Sequence, residues 1–188
     1  MTENRLSTDG RKALLKIARD TIESYAQGGG KPPLPSSPSS ELEARQGAFV
    51  TLHQRGRLRG CIGTFLGEGP LVQTVQNMAV AAGWEDPRFG QLSEDELSGI
   101  DIEISVLSPL REIKDISEIE VGKHGIYITK GINRGVLLPQ VAVEQGWDRD
   151  TFLSHTCIKA GLPPETWKGQ DLKIEVFSAE VFGEKDLE

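Results

Sequence analysis

The spacing of apolar residues predicts a helix near the start of the chain. Apolar side chains recur every three or four residues there, at Ala13, Leu14, Ile17, Ala18, Ile22 and Tyr25. Ser7 or Thr8 fits the N-cap, and Gly28 begins a glycine triplet that ends the helix, because glycine accepts the left-handed backbone of a C-terminal cap. The Pro- and Ser-rich stretch that completes Gly28–Ser40 has no periodicity and is predicted to be an extended loop.

Alternation of apolar and polar residues then predicts strands, most clearly at Ile100, Ile102, Ile104 and Val106. Strands are predicted over 49–52, 58–64, 100–106, 125–129, 136–138 and 173–182. Helices are predicted over 70–84, 93–97 and 148–160. Strand pairs joined by tight turns and interrupted by a few helices indicate an α+β fold, with a largely antiparallel sheet, flanking helices and one domain over residues 1–188.

The charge balance bears on the class of partner. The 188 residues include 21 Lys and Arg against 28 Asp and Glu, a net charge of -7, which disfavours nucleic acid or an anionic membrane as a partner. No apolar stretch approaches the roughly 20 residues of a membrane span, and the start lacks the apolar region of a signal peptide. Two cysteines far apart do not form a disulfide framework. These features predict a cytoplasmic protein.

The segment around Cys61 carries the most informative chemistry. In a strand, Arg57, Arg59 and Cys61 would share one face, while Leu58 and Ile62 would lie on the other. A neighbouring guanidinium group favours the thiolate, which is the nucleophilic form of cysteine. The alternative is a buried cysteine in a core strand, since cysteine is among the most buried residue types.

Two glycines flank this thiol. Gly60 and Gly63 would let a ligand or another backbone approach the strand closely, although glycines also mark bulges and bends. Cys157 offers a contrast, because its helical position beside Leu153 and Ala160 predicts a structural thiol in the core. The two cysteines are therefore expected to differ in exposure.

Weaker candidates are scattered along the chain and include one histidine, His124, in a turn before a strand. The others are Asp86 and Arg88 around a proline, Glu103 on the polar side of its strand, and Gln140 with Glu144 after a hairpin. Each has an ordinary alternative as a solvated surface residue. Zinc spacings, a phosphate-binding loop and a dinucleotide-binding glycine motif are missing, so no metal or cofactor is predicted.

Taken together, the ordered segments resemble the AMMECR-domain family, called AmmeMemoRadiSam system protein A in bacteria and archaea. They are Gly47–Leu52, Leu58–Gly63, Asp86–Phe89, Glu103–Ser108, Lys123–Gly125, Leu137–Val141 with Glu144, Phe152–Leu153, Lys159–Leu162 and Trp167. The resemblance implies two unequal lobes with a cleft between them, termini in the larger lobe, and the Arg59–Gly63 segment at the cleft. It also implies a Memo-like protein and a radical SAM protein as partners.

Two functions follow as hypotheses. In the first, the protein is a cysteine-dependent enzyme acting on a small molecule or a protein group, with Cys61 as nucleophile and His124 as acid or base. Arg59 would stabilise the thiolate or an anionic substrate, Glu103 or Glu144 would orient the histidine, and backbone amides near Gly60 and Gly63 would hold an oxyanion.

In the second hypothesis, the protein is a non-catalytic module that binds a small molecule or a partner protein. Cys61 then packs, and specificity comes from Arg59, Asp86, Arg88 and Gln140. A role in binding RNA is disfavoured by the acidic charge balance.

Overall fold

The structure is a computed structural model that describes residues 5–186. Its described part contains five α-helices and seven β-strands. The helices are α1 (Thr8–Ala26), α2 (Ser40–Glu43), α3 (Leu71–Trp84), α4 (Pro139–Gln145) and α5 (Arg149–Lys159). The strands are β1 (Ala48–Gln54), β2 (Arg57–Thr64), β3 (Ile100–Leu107), β4 (Arg111–Ile113), β5 (His124–Lys130), β6 (Asn133–Leu137) and β7 (Lys173–Gly183). Antiparallel pairing of β1 with β2 and β3, and of β5 with β6 and β7, confirms the predicted α+β class.

The described residues form two compact units of unequal size, as expected for this fold. Of the described residues, the larger unit contains 5–107 and 180–186. The smaller unit is Ser108–Ala179. The boundary falls inside β7, which therefore contributes residues to both units.

In the larger unit, helices α1 and α3 pack on one face of the strands β1, β2 and β3. The fully buried side chains of this core include Leu14, Ile22, Leu71, Val75, Val50, Leu52 and Ile104. Alternate residues of β1 and β3 lie on the other face and are half-buried. Helix α1 begins as predicted, because the Ser7 side chain accepts a hydrogen bond from the Gly10 N–H at 2.9 Å.

In the smaller unit, helix α5 packs against the hairpin of β5 and β6. A side chain at Gly135 would come within 2.6 Å of the Thr156 carbonyl oxygen, so glycine permits this close approach. Phe152, Leu153 and Cys157 on α5 are fully buried in the core of this unit. The structural role predicted for Cys157 therefore agrees with its position.

Some elements were not predicted from the sequence. Helix α4 begins with Pro139 in its first turn, and at seven residues it is too short to show helical periodicity. The three-residue strand β4 shows no alternation for the same reason. The Gly28–Ser40 segment was expected to be a loop, but its last residue begins the short helix α2. Among residues 5–186, no helix has both the length and the apolar character needed to cross a membrane.

Candidate functional site

A row of polar side chains crosses three strands on the half-buried face of the larger unit. Thr51 on β1 is in register with Cys61 on one side and with Glu103 on the other. All three side chains are half-buried, whereas the neighbours of Thr51 in sequence, Val50 and Leu52, are fully buried in the core. The Thr51 hydroxyl donates a hydrogen bond to the Cys61 Sγ atom at 3.2 Å. The thiol thus lies among polar groups on a half-buried face.

The main chain of Cys61 is held by the side chains of Asp86 and Arg88. The Cys61 N–H donates to Asp86 Oδ2 at 2.9 Å, and Arg88 Nη2 donates to the Cys61 carbonyl oxygen at 3.2 Å. Among the strands of residues 5–186, β2 lies at the edge of the sheet, where main-chain polar groups have no neighbouring strand. Asp86 and Arg88, which we call the edge clamp, therefore take the place of a further strand at this position.

Within the edge clamp, the two side chains form a bidentate ion pair. Arg88 Nε and Nη2 donate to Asp86 Oδ1 and Oδ2 at 3.0 and 2.8 Å. The Asp86 side chain is only 2% exposed, yet its hydrogen bonds from Arg88 hold the pKa of the carboxyl well below its usual range. These two residues were predicted to bind substrate, but their strongest interactions are with each other and with Cys61.

Arg59 is engaged in a separate ion pair. Its Nε and Nη2 atoms donate to the two carboxylate oxygens of Glu96 at 2.7 and 2.9 Å, and its Nη1 atom donates to the Gly90 carbonyl oxygen at 3.1 Å. Hydrogen bonds from Arg59 lower the pKa of Glu96 to about 2. Arg59 therefore fixes the segment before β3, and the guanidinium group bonded to the Cys61 main chain is that of Arg88.

The predicted alternation of side chains along β2 is wrong at its first residues. Leu52 pairs with Gly60 and His53 pairs with Leu58, so a bulge inserts Arg59 as an extra residue. The bulge places Leu58 in register with a residue of the Cys61 face, where it is 42% exposed. Counting alternate residues along the sequence does not reveal such an insertion.

Gly60 and Gly63 leave room that other parts of the larger unit fill. A side chain at Gly60 would meet the Ala82 carbonyl oxygen of α3 at 2.1 Å. At Gly63 it would meet the ring of Phe49 at 2.2 Å. Packing alone thus accounts for both glycines. The Cys61 N–H, which lies between them in the sequence, donates a hydrogen bond to Asp86.

The other three predicted site residues belong to the smaller unit. His124 begins β5, and its Nδ1 atom accepts a hydrogen bond from the Glu120 N–H at 3.1 Å. Burial, together with the nearby Lys123, lowers the pKa of His124. Gln140 and Glu144 are exposed on α4. The structure therefore brings Cys61 together with Glu103 and the edge clamp, whereas the participation of His124, Gln140 and Glu144 stays a prediction.

Two contributors were missed by the sequence reasoning. The Thr51 hydroxyl and the Glu96 carboxylate each bond a residue of the Cys61 segment. Thr51 could have been found from the register of β1 with β2, because it pairs with Cys61. Counting residue pairs back from the turn gives the wrong register, however, because the bulge adds a residue to β2. Among residues 5–186, no three or more His, Cys, Asp or Glu side chains are arranged to hold a metal ion.

Comparisons with known proteins agree on one family. The family profile described as AMMECR1 matches residues 15–182. A protein of Thermococcus onnurineus is 42% identical over 96% of this chain and 93% of its own length, and one of Pyrococcus furiosus is 41% identical over 96% and 91%. The crystal structure of the uncharacterized protein PH0010 from Pyrococcus horikoshii is similar with a TM-score of 0.78, at 40% identity, over 92% of this chain and 90% of that one.

Proposed function

Because the chain belongs to the AMMECR1 family, we propose that it is a cysteine-dependent enzyme that acts on a small molecule or a protein group through Cys61. The observation that carries the proposal is the position of the thiol on the half-buried polar face, with the Thr51 hydroxyl donating to Sγ at 3.2 Å. A structural cysteine in this chain looks different, as fully buried Cys157 shows.

The surroundings of Cys61 fit the needs of a nucleophile. The hydroxyl of Thr51 offers a hydrogen bond to the sulfur, and such a bond is stronger when its acceptor carries a charge. The edge clamp fixes the N–H and the carbonyl of the same residue, so the strand cannot shift away from an approaching substrate. Nucleophilic attack by the sulfur on an electrophilic carbon is the step that this arrangement supports.

Further parts of the proposal have separate sources. Composition supports a cytoplasmic location, and the position of His124 in a turn before a strand supports a role as acid or base. The family resemblance supports association with a Memo-like protein and a radical SAM protein.

Turnover with a panel of activated esters, thioesters and amides tests the enzyme hypothesis. We expect hydrolysis of at least one class, with a covalent adduct on Cys61 visible by intact mass, and we expect Cys61→Ala to abolish both. Cys157→Ala is the matched control, because that thiol is buried in the other unit. Hydrolysis that persists in Cys61→Ala would show that Cys61 is not the nucleophile.

A second function, a non-catalytic binding module, is favoured by the ion pairs around the thiol. Arg59 and Arg88 are each paired with a carboxylate, an arrangement that shapes a surface and engages both guanidinium groups. This function predicts that the purified Memo-like and radical SAM proteins bind the Cys61→Ala variant as tightly as the wild type. If neither protein binds the wild type, the module hypothesis loses its support.

A further inference from the structure

Glu103 differs from two other carboxylates of the described larger unit, which lie in the edge clamp and on β3. Asp86 is paired with Arg88, and Asp101, which shares the outward side of β3 with Glu103, is paired with Lys185. In the described part of the chain, the carboxylate of Glu103 makes neither an ion pair nor a hydrogen bond. A half-buried carboxylate without a protein partner attracts a cation from outside.

Glu103 and the thiol are placed so that one small ligand reaches both. They lie on the outer two of three neighbouring strands, in register through Thr51, so their Cα atoms are about 10 Å apart. A glutamate side chain and a short alkyl chain together span that separation. The alkyl chain of such a ligand would pass over Thr51, whose hydroxyl donates a hydrogen bond to the sulfur.

An aromatic group borders this row. Phe49 on β1 lies on the same face, two residues before Thr51, and packs edge to face on Phe65 with ring centroids 5.2 Å apart. Both phenylalanines are half-buried, so part of their surface is open to a ligand. Aromatic rings attract alkylammonium groups through their negative faces, which adds to the attraction by the carboxylate.

We propose that Glu103 is a specificity-determining residue that selects substrates carrying an alkylammonium group, which it binds while Cys61 attacks the electrophilic centre. This inference rests on the proposed function.

Charged methanethiosulfonate reagents test the proposal directly. The thiolate attacks the reagent sulfur, an S–S bond forms and methanesulfinate leaves, so no added oxidant is needed. Rates are measured on the full chain with the trimethylammonioethyl and the sulfonatoethyl reagents, each divided by its rate with 2-mercaptoethanol. We expect a preference for the cationic reagent of about fivefold, the effect of one charge at a half-exposed site.

Variants separate the effect of Glu103 on this preference from the effect of the protein's overall negative charge. Glu103→Gln should remove most of the preference, Glu103→Asp should retain most of it, and Glu68→Gln, which removes an exposed charge elsewhere in the larger unit, should leave it unchanged. Sodium chloride at 1 M should reduce the wild-type preference. An unchanged preference in Glu103→Gln, or its loss in Glu103→Asp, would overturn the inference. A thiol that reacts with neither reagent would instead overturn the proposed function.

Discussion

At Cys61 the main chain is fixed more firmly than the side chain. Its N–H and carbonyl are bonded to Asp86 and Arg88, whereas its sulfur accepts one hydrogen bond, from Thr51. The Asp-Pro-Arg motif stood out in the sequence and was predicted to bind substrate. Its contacts explain why the residue types matter, but no sequence pattern reveals that the partner of the carboxylate is a backbone amide 25 residues away.

Removal of the Thr51 hydroxyl should slow the reaction of the thiol. Thr51→Val keeps the shape of the side chain and removes the donor to Sγ, and hydrogen bonds to charged groups are worth about 1.5–3 kcal/mol. We expect alkylation of Cys61 by iodoacetamide at pH 7.5 to slow by about tenfold. Thr64→Val is the control, because that hydroxyl donates to the Leu66 carbonyl oxygen instead. Equal rates in the wild type and Thr51→Val would show that the hydroxyl does not stabilise the thiolate.

Neutralising Asp86 should destabilise the larger unit. Asp86→Asn weakens the bidentate pair with Arg88 and the bond to the Cys61 N–H, and we expect the free energy of unfolding in urea to fall by about 1.5–3 kcal/mol. Glu85→Gln changes an exposed neighbouring carboxylate and should cost less than about 0.5 kcal/mol. If the two variants are equally stable, the edge clamp contributes nothing to folding.

At the scale of elements, periodicity predicted the long helices and the strands, but not the register of β1 with β2. Helix α1 and strand β3 present clear 3.6-residue and two-residue patterns, because one face of each is buried. The bulge at Arg59 changes which residues of β2 face the core, and it leaves no trace in such a pattern. Short elements such as β4 are invisible for a simpler reason, since three residues carry no period.

The contact between β2 and α3 yields a prediction at this scale. Gly60→Ala would place a methyl group 2.1 Å from the Ala82 carbonyl oxygen, and a helix backbone cannot yield as a flexible side chain does. We expect a loss of about 1–3 kcal/mol in the free energy of unfolding, measured with urea. Gly90→Ala, at a glycine with no atom within 4 Å of the added methyl, should change it little. Comparable losses in both variants would contradict close packing of β2 on α3.

At the scale of the whole molecule, the order of the motifs along the chain identified the family. The fold could then be predicted from the family. The resemblance was specific because nine short segments occur in one order along the chain, whereas each segment alone is a weak signal. Within the candidate site, Cys61 and Glu103 were each assigned to the polar side of a strand, and they do share one face. The pairing of Arg59 with Glu96 was not predicted, because no local pattern relates the two segments. The role of His124, which belongs to the smaller unit, stays a prediction.

Acid should destabilise the protein through carboxylates whose pKa is lowered in the fold. Arg59 holds the pKa of Glu96 at about 2, below the value of about 4.3 in an unfolded chain. This contribution is fully present above pH 5 and is lost as pH falls toward 2, because the unfolded state binds the proton first. We therefore expect Glu96→Gln to be less stable than the wild type at pH 7, and the difference to shrink at pH 3.

Urea unfolding at the two pH values measures this difference. Glu94→Gln, at an exposed neighbour, should show a small difference that is the same at both. A difference between Glu96→Gln and the wild type that is as large at pH 3 as at pH 7 would mean that the ion pair with Arg59 does not shift the titration of Glu96.

The accessibility and reactivity of the Cys61 thiol in the folded chain can be measured by limited alkylation. Native protein is treated with iodoacetamide at pH 7.5, quenched over time, and mapped by peptide mass spectrometry. We predict modification of Cys61 in the native protein, with Cys157 unmodified until the protein is unfolded. A Cys61 that stays unmodified until urea unfolds the chain would contradict the account.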